Sequence, residues 1–204
     1  YQEYTDRLLN AVDDLFFALD DEAQLQRWNA QIPEVTGYAD DELSRMTAFD
    51  LVPESEHERV AARMGDAFTS GRTQIEVPLL RKDGTTIPYE FVGSLVDHPG
   101  NGLQIVGIGR DITQRKQRER LLEQAETFFQ NSQDALFLID VQQEGDEETF
   151  PVQRVNPAYE TQTGFSKEAV QGATPQEILG EETGRKAEAM YRRCIKQREP
   201  LEYE

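Results

Sequence analysis

The sequence predicts an α+β fold built twice in tandem. RWNAQIPEVTGYADDEL (Arg27 to Leu43) returns as RVNPAYETQTGFSKEAV (Arg154 to Val170), so Asn29 lies over Asn156 and Gly37 over Gly164 at an offset of 127. Within one copy, two short apolar segments are followed by a block of short helical segments and then by three alternating segments. Lys82-Asp83-Gly84 sits between two of those alternating runs, a strong signal for a tight hairpin. Strands joined by hairpins, with the helices grouped between them, give an antiparallel sheet carrying helices on one face.

The duplication extends beyond its signature. DDLFFALD (Asp13 to Asp20) lies over QDALFLID (Gln133 to Asp140) at an offset of 120, which leaves seven extra residues in QQEGDEETF of the second copy. Polar insertions in a loop are cheap, so this stretch is expected as a loop. Glu204 falls opposite Val77, so the second copy is expected to be incomplete and the chain to be a fragment entering and leaving in mid-repeat. The expected organisation is the end of an upstream linker helix at 1–10, a first domain at 11–113, a linker helix at 114–130 and an incomplete second domain at 131–204. That second domain is expected to be the less stable, or to borrow contacts from a partner.

Along the first copy, LFFALD reads as a strand ended by an acidic turn and AQLQRWN as its alternating neighbour. Asn29 is expected to cap a short helix through Val35, with Gly37 as the left-handed residue that ends it. Asp40 and Ser166 are expected to start the next turn in their respective copies. Ser55 to Glu58 has the S-x-x-E form of a capping box and opens a helix that stops at Gly71. Val60, Met64 and Phe68 fall four apart on one face of it. In the hairpin, Ile75, Val77 and Leu79 share one face, as do Ile87, Tyr89 and Phe91, and LQIVGIGR makes the last strand.

Composition narrows the function classes. The formal net charge is −18, from 39 acidic against 21 basic residues, and such a surface repels nucleic acid phosphates. Two sources of this charge stand: a basic partner, or adaptation to a salt-rich, halophilic cytoplasm. No apolar run approaches the roughly twenty residues that span a bilayer, so no membrane contact and a cytoplasmic location are expected. A single cysteine, Cys194, excludes an internal disulfide, and His57 and His98 offer little for metal chemistry; both are expected at solvated positions.

The element order, the asparagine and Thr-Gly-aromatic signature, the Arg-Lys-Asp-Gly hairpin and the closing GRDITQRK together resemble the PAS domain family of signal sensors. The likeness covers nearly all of the first copy and the front two-thirds of the second. It implies a five-stranded antiparallel sheet in order 2-1-5-4-3, with helices enclosing a pocket against one face. It also implies a sensory or dimerising role in a larger signalling protein, commonly a histidine kinase with a downstream signalling domain. Asp111, Ile112 and Thr113 match the family's Asp-Ile-Thr at the start of the output helix, the expected point of signal coupling, where Asp111 can cap the helix and Gln114 can complete a capping box.

The expected pocket lining is Val60, Met64, Phe68, Ile75, Val77, Tyr89, Phe91, Val106 and Ile108. These residues either fill a solid core or surround a small, mostly apolar ligand anchored by the Tyr89 hydroxyl. The cofactor is left unknown. The axial position of haem-binding relatives falls near Val60, and RMTAFDL and ATPQEIL lack the Asn-Cys-Arg-Phe cysteine of the flavin photosensors. In the linker, Leu121 and Phe128, and Leu122 and Phe129, are seven apart, which suits a homodimer seam or packing onto the domain's own sheet. The basic run Arg115 to Arg120 reads as a solvated helix face. No phosphate loop, nucleophile elbow or phosphoacceptor segment is present, so a non-enzymatic module is expected. Three roles compete: a kinase sensor, a transcription-factor regulatory region and a dimerisation spacer.

Overall fold

A computed structural model of the chain describes residues 13–99, 102–144 and 147–198. The expected upstream helix at 1–10 lies outside the described residues. The chain divides into two compact units, Tyr1–Glu119 and Arg120–Glu204.

The first unit contains β1 (Leu15–Leu19), β2 (Leu25–Trp28), α1 (Gln31–Thr36), α2 (Asp40–Leu43), two 3-10 turns, α3 (His57–Ser70), β3 (Arg72–Leu80), β4 (Thr86–His98) and β5 (Gly102–Asp111). The five strands form one antiparallel sheet in the order β2-β1-β5-β4-β3. The hairpin falls where the sequence places it: Gly84 is left-handed at φ 83°, and Val77 pairs with Tyr89 and Ile75 with Phe91. Apolar side chains on one sheet face pack against α1, α2 and α3, and that layer contains the core.

The duplicated asparagine has a larger role than the expected helix cap. Asn29 Oδ1 accepts from Phe16 N at 3.0 Å, and its Nδ2 donates to Asp14 O at 3.0 Å. Asn156 repeats both bonds, with Leu136 N at 2.8 Å and Asp134 O at 2.9 Å, and also accepts from Tyr159 N as a true cap. In the first copy the position flanking the helix is Ala30, so Asn29 is foremost a bolt between the segment entering β1 and the segment leaving β2. Both amides are buried, and a buried amide is retained where its polar atoms are paired. Gly37 and Gly164 end their helices in the left-handed region, at φ 79° and 76°.

Asp40 starts α2 as expected: Ala39 flanks that helix, Glu42 accepts from Ala39 N at 2.9 Å, and Asp40 accepts from Trp28 Nε1 at 2.8 Å. Ser166 does cap its helix, by accepting from Ala169 N. Ser55 lies in a 3-10 turn, Glu54–Glu56, so α3 begins at His57; the tight turn set up by Pro53 satisfies the Glu56 N–H instead. His57 is half-buried, its Nε2 3.0 Å from Phe49 O, because the 3-10 turn folds the start of α3 back over Phe49. His98 is exposed at the end of β4.

α4 (Thr113–Asn131) is a single helix of 19 residues. The second unit holds β6 (Phe137–Ile139), β7 (Gln142–Glu144), β8 (Glu147–Thr149), β9 (Val152–Val155), α5 (Pro157–Thr163), α6 (Lys167–Val170), α7 (Pro175–Leu179) and α8 (Glu181–Gln197). The seven-residue insertion is not an open loop. β7 and β8 pair as a hairpin, so the added backbone satisfies its polar groups locally, and Arg192 of α8 donates to Glu148 O at 3.0 Å. β6 and β9 form a second two-stranded sheet. Cys194 lies on α8 and is half-buried.

Candidate functional site

A cavity of about 100 Å³ lies between the inner sheet face and α1, the first 3-10 turn (Ala48–Leu51) and α3. Of the nine residues expected around it, Val60, Met64, Ile75, Val77 and Phe91 line it. Leu15, Phe17 and Leu19 of β1 and Ile105 of β5 complete the sheet side. The wall is almost wholly apolar. Phe68 packs into the adjoining core without reaching the cavity.

Val106 and Ile108 are corrections: they belong to the opposite sheet face. In the β1–β5 register Leu19 faces Ile105, Phe17 faces Gly107 and Leu15 faces Gly109, so the odd-numbered β5 residues share the inner face. Ile108 is 41% exposed. The inner positions after Ile105 are glycines because nothing larger fits. A Cβ on Gly107 would lie 2.5 Å from Phe17 Cζ and 2.6 Å from Val92 O, and one on Gly109 would lie 2.5 Å from Phe91 Cε1. After Ile105 the apolar letters of LQIVGIGR therefore mark the outer face, and the inner face carries only glycine.

Tyr89 is buried at 5% exposure and stacks on Phe91, with ring centroids 5.7 Å apart. It is not part of the cavity wall, so it is not the anchor expected of it. Its register partner is Asp111, at the far end of the sheet from the Thr73–Gly93 pair. Burial, reinforced by the Asp111 charge, pushes its phenol up to about 12. Thr73 also lines the wall, with its Cγ2 methyl toward Gly93, and its Oγ1 is buried without a hydrogen-bond partner among the described residues.

A second feature joins the cavity to α4. Ile75 and Val77 point into the cavity; Glu76, between them, points to the other face. Its carboxylate lies 2.7 Å from Arg115 Nη2 and 2.8 Å from Lys116 Nζ, both in the first turn of α4. Hydrogen bonds from Lys116 and then Arg115 hold the Glu76 carboxyl below its ordinary value. Arg59 of α3, next to the lining residue Val60, donates to Glu76 O at 3.0 Å. The basic run is thus partly a docking strip for β3 and not only a solvated face.

Asp111 accepts from Thr113 N at 2.7 Å, and Ile112 N donates to Pro88 O at 3.0 Å, so the Asp-Ile-Thr segment fastens the start of α4 to the sheet. Among the described residues Gln114 makes no bond back, so the full capping box is replaced by the Asp111 bond. Further along α4, Leu121, Leu122 and Phe128 are 65%, 72% and 70% exposed, and Phe129 is buried under the Arg154 guanidinium. Among the described residues there is no group of three or more candidate metal ligands and no helix long and apolar enough to cross a membrane.

Comparison with known proteins agrees with this geometry. The chain is 28% identical over 110 residues to a methyl sulfide methyltransferase-associated sensor of Methanosarcina acetivorans, and 29% identical over 111 residues to the sensor histidine kinase TmoS of Ectopseudomonas mendocina. These alignments cover 54% and 52% of this chain but 11% of each relative, so the chain spans about a tenth of their length. Among solved structures, the PAS domain of a protein from Colwellia psychrerythraea aligns with a TM-score of 0.50 at 19% identity, over 55% of this chain and 98% of that one. An RNA-binding light-oxygen-voltage receptor aligns with a TM-score of 0.52 at 26% identity, over 62% of this chain and 37% of that one. Residues 9–117 match the family described as PAS fold, and residues 123–196 match the family described as PAS domain. The chain belongs to the PAS family, and the duplication in its sequence is a tandem of two PAS regions.

Proposed function

We propose that the chain is the cytoplasmic input region of a histidine kinase, in which the first PAS unit senses a small molecule and α4 relays the change toward a downstream signalling domain. The observation that carries this reading is the apolar cavity of about 100 Å³, whose walls, α3 and β3, both contact Glu76 and through it the first turn of α4. The relatives named as sensors support the same class of role. The cavity is smaller than the roughly 150 Å³ that accommodates benzene, which argues for a compact ligand over a haem or flavin ring. Asp111, Ile112 and Thr113 act as the mechanical joint. Catalysis resides in other parts of the signalling protein, and the acidic surface keeps the module from nucleic acid.

Native mass spectrometry of the chain purified in high salt, compared with its mass after denaturation, tests this. A retained small molecule supports the chemical sensor. Dimers with no retained mass favour a second reading, a dimerising relay, for which the exposed seam of Leu121 and Phe128 is the specific observation.

A further inference from the structure

α4 is gripped again near its other end. Within the second unit, Arg154 of β9 donates through Nη2 to both carboxylate oxygens of Glu126, at 2.6 and 2.8 Å. The same guanidinium lies over the ring of the buried Phe129, 5.0 Å from its centroid. The other large apolar residues of that stretch, Leu121, Leu122 and Phe128, stay open. Hydrogen bonds from Arg154 and then Gln130 hold the Glu126 carboxyl below its ordinary value, as Lys116 and Arg115 do for Glu76 at the first turn.

Residues three apart on a helix share a face, so Glu126 and Phe129 present an acid and a ring side by side. Arginine suits that pair, because its planar fork donates at the edge and stacks through its face, which the point charge of a lysine does not reproduce. One residue of helical rotation is about 100°, enough to carry both groups away from Arg154 together. The contact therefore responds to rotation of α4 as well as to its position. Arg154 lies just before Asn156, whose amide holds Leu136 N and Asp134 O where the chain enters β6, so a displacement of Arg154 is handed to the β6–β9 pair.

The sequence carries the same letters twice. Asp6 and Leu9 lie over Glu126 and Phe129 at an offset of 120, and Arg27 lies over Arg154 at an offset of 127. An acid, an apolar residue three positions on and the arginine of the duplicated signature thus recur together ahead of and within each copy. We propose, building on the reading of α4 as a relay, that Arg154 is the positioning residue through which the second PAS unit receives the state of the first. The second unit is then a receiver of helix motion, with its input surface at Arg154.

The test uses the full chain of 204 residues and hydrogen exchange mass spectrometry over β6 and β9. Glu76→Gln, which loosens α4 at the first unit, is expected to raise exchange there about threefold, the scale of one exposed ion pair. With Arg154→Gln already in place, adding Glu76→Gln is expected to change nothing further, whatever Arg154→Gln does to its own surroundings. Glu126→Gln alters the same contact from the helix and leaves the strands untouched, so it is expected to block transmission likewise even if Arg154→Gln unfolds the second unit. An undiminished response to Glu76→Gln in both backgrounds overturns Arg154 as the receiving contact and leaves α4 a relay acting through the chain at 132–134. No response of β6 and β9 to Glu76→Gln in any background overturns the relay reading, and the proposal falls with it.

Discussion

Glu76 Oε1 lies 2.7 Å from Arg115 Nη2, on a strand whose adjacent residues Ile75 and Val77 line the cavity. Glu76 thus sits in the strand that walls the cavity and reaches α4 through its side chain. A shift of β3 by an occupant would reach the helix without any change in the sheet order. Exposed ion pairs are individually weak, which suits a contact meant to be broken.

Glu76→Gln is expected to leave the fold intact and to raise amide exchange a few-fold across the first turn of α4, at Arg115 and Lys116. Hydrogen exchange mass spectrometry reads this directly. The pH dependence follows from the lowered carboxyl: the pairing is complete above the ordinary glutamate pKa of about 4.3 and is lost as pH falls through the lower folded-state value. Unchanged exchange in Glu76→Gln would remove the clamp from the mechanism.

Gly107→Ala is expected to destabilise the first unit by about 2 kcal/mol, with Gly109→Ala milder. The Cβ at Gly107 meets a backbone carbonyl, Val92 O, as well as the Phe17 ring, whereas at Gly109 it meets only the rings of Phe91 and Tyr89. Urea denaturation monitored by circular dichroism gives the comparison; equal stabilities of wild type and Gly107→Ala would contradict the close approach.

Tyr89 holds its proton up to about pH 12 because burial and the Asp111 charge disfavour the phenolate. In the unfolded chain a tyrosine ionises near pH 10. The contribution to stability is therefore complete below about pH 10 and is lost as pH rises through the folded-state value. An ultraviolet titration should show a late tyrosinate transition that Tyr89→Phe abolishes.

Asn29→Ala leaves the half-buried Phe16 N–H and Asp14 O without their side-chain partner, and Asn156→Ala does the same to Leu136 and Asp134 while also losing the cap on α5. Each substitution is expected to cost about 2–4 kcal/mol. Thermal melts of the two variants should lower different transitions, one per unit.

The second unit is expected to exchange its amides faster than the first. Its described strands form only two-stranded sheets, and pairs of that size are marginal alone. Phe137, Leu138 and Phe165 are 36%, 44% and 40% exposed. Equal protection in both units of a monomer would contradict this.

What the sequence by itself determined is what depends on neighbours along the chain. The left-handed stops at Gly37 and Gly164 and the Lys82-Asp83-Gly84 turn act over a few residues, so their letters carry their geometry, whereas the Asn29 and Asn156 repeat marked the positions without their partners 13 or more residues away. The alternation of Ile75, Val77, Tyr89 and Phe91 likewise assigned the inner face of the hairpin, because large apolar letters occupy it. Only the tertiary structure decided the face of β5, where close packing against Phe17 and Phe91 demands glycine on the inside and leaves Val106 and Ile108 outside. It also decided that Tyr89 lies outside the cavity wall, and that Glu76 meets Arg115 across 39 residues. Contacts made between distant segments depend on which surfaces meet, and a single strand's pattern does not record its partner.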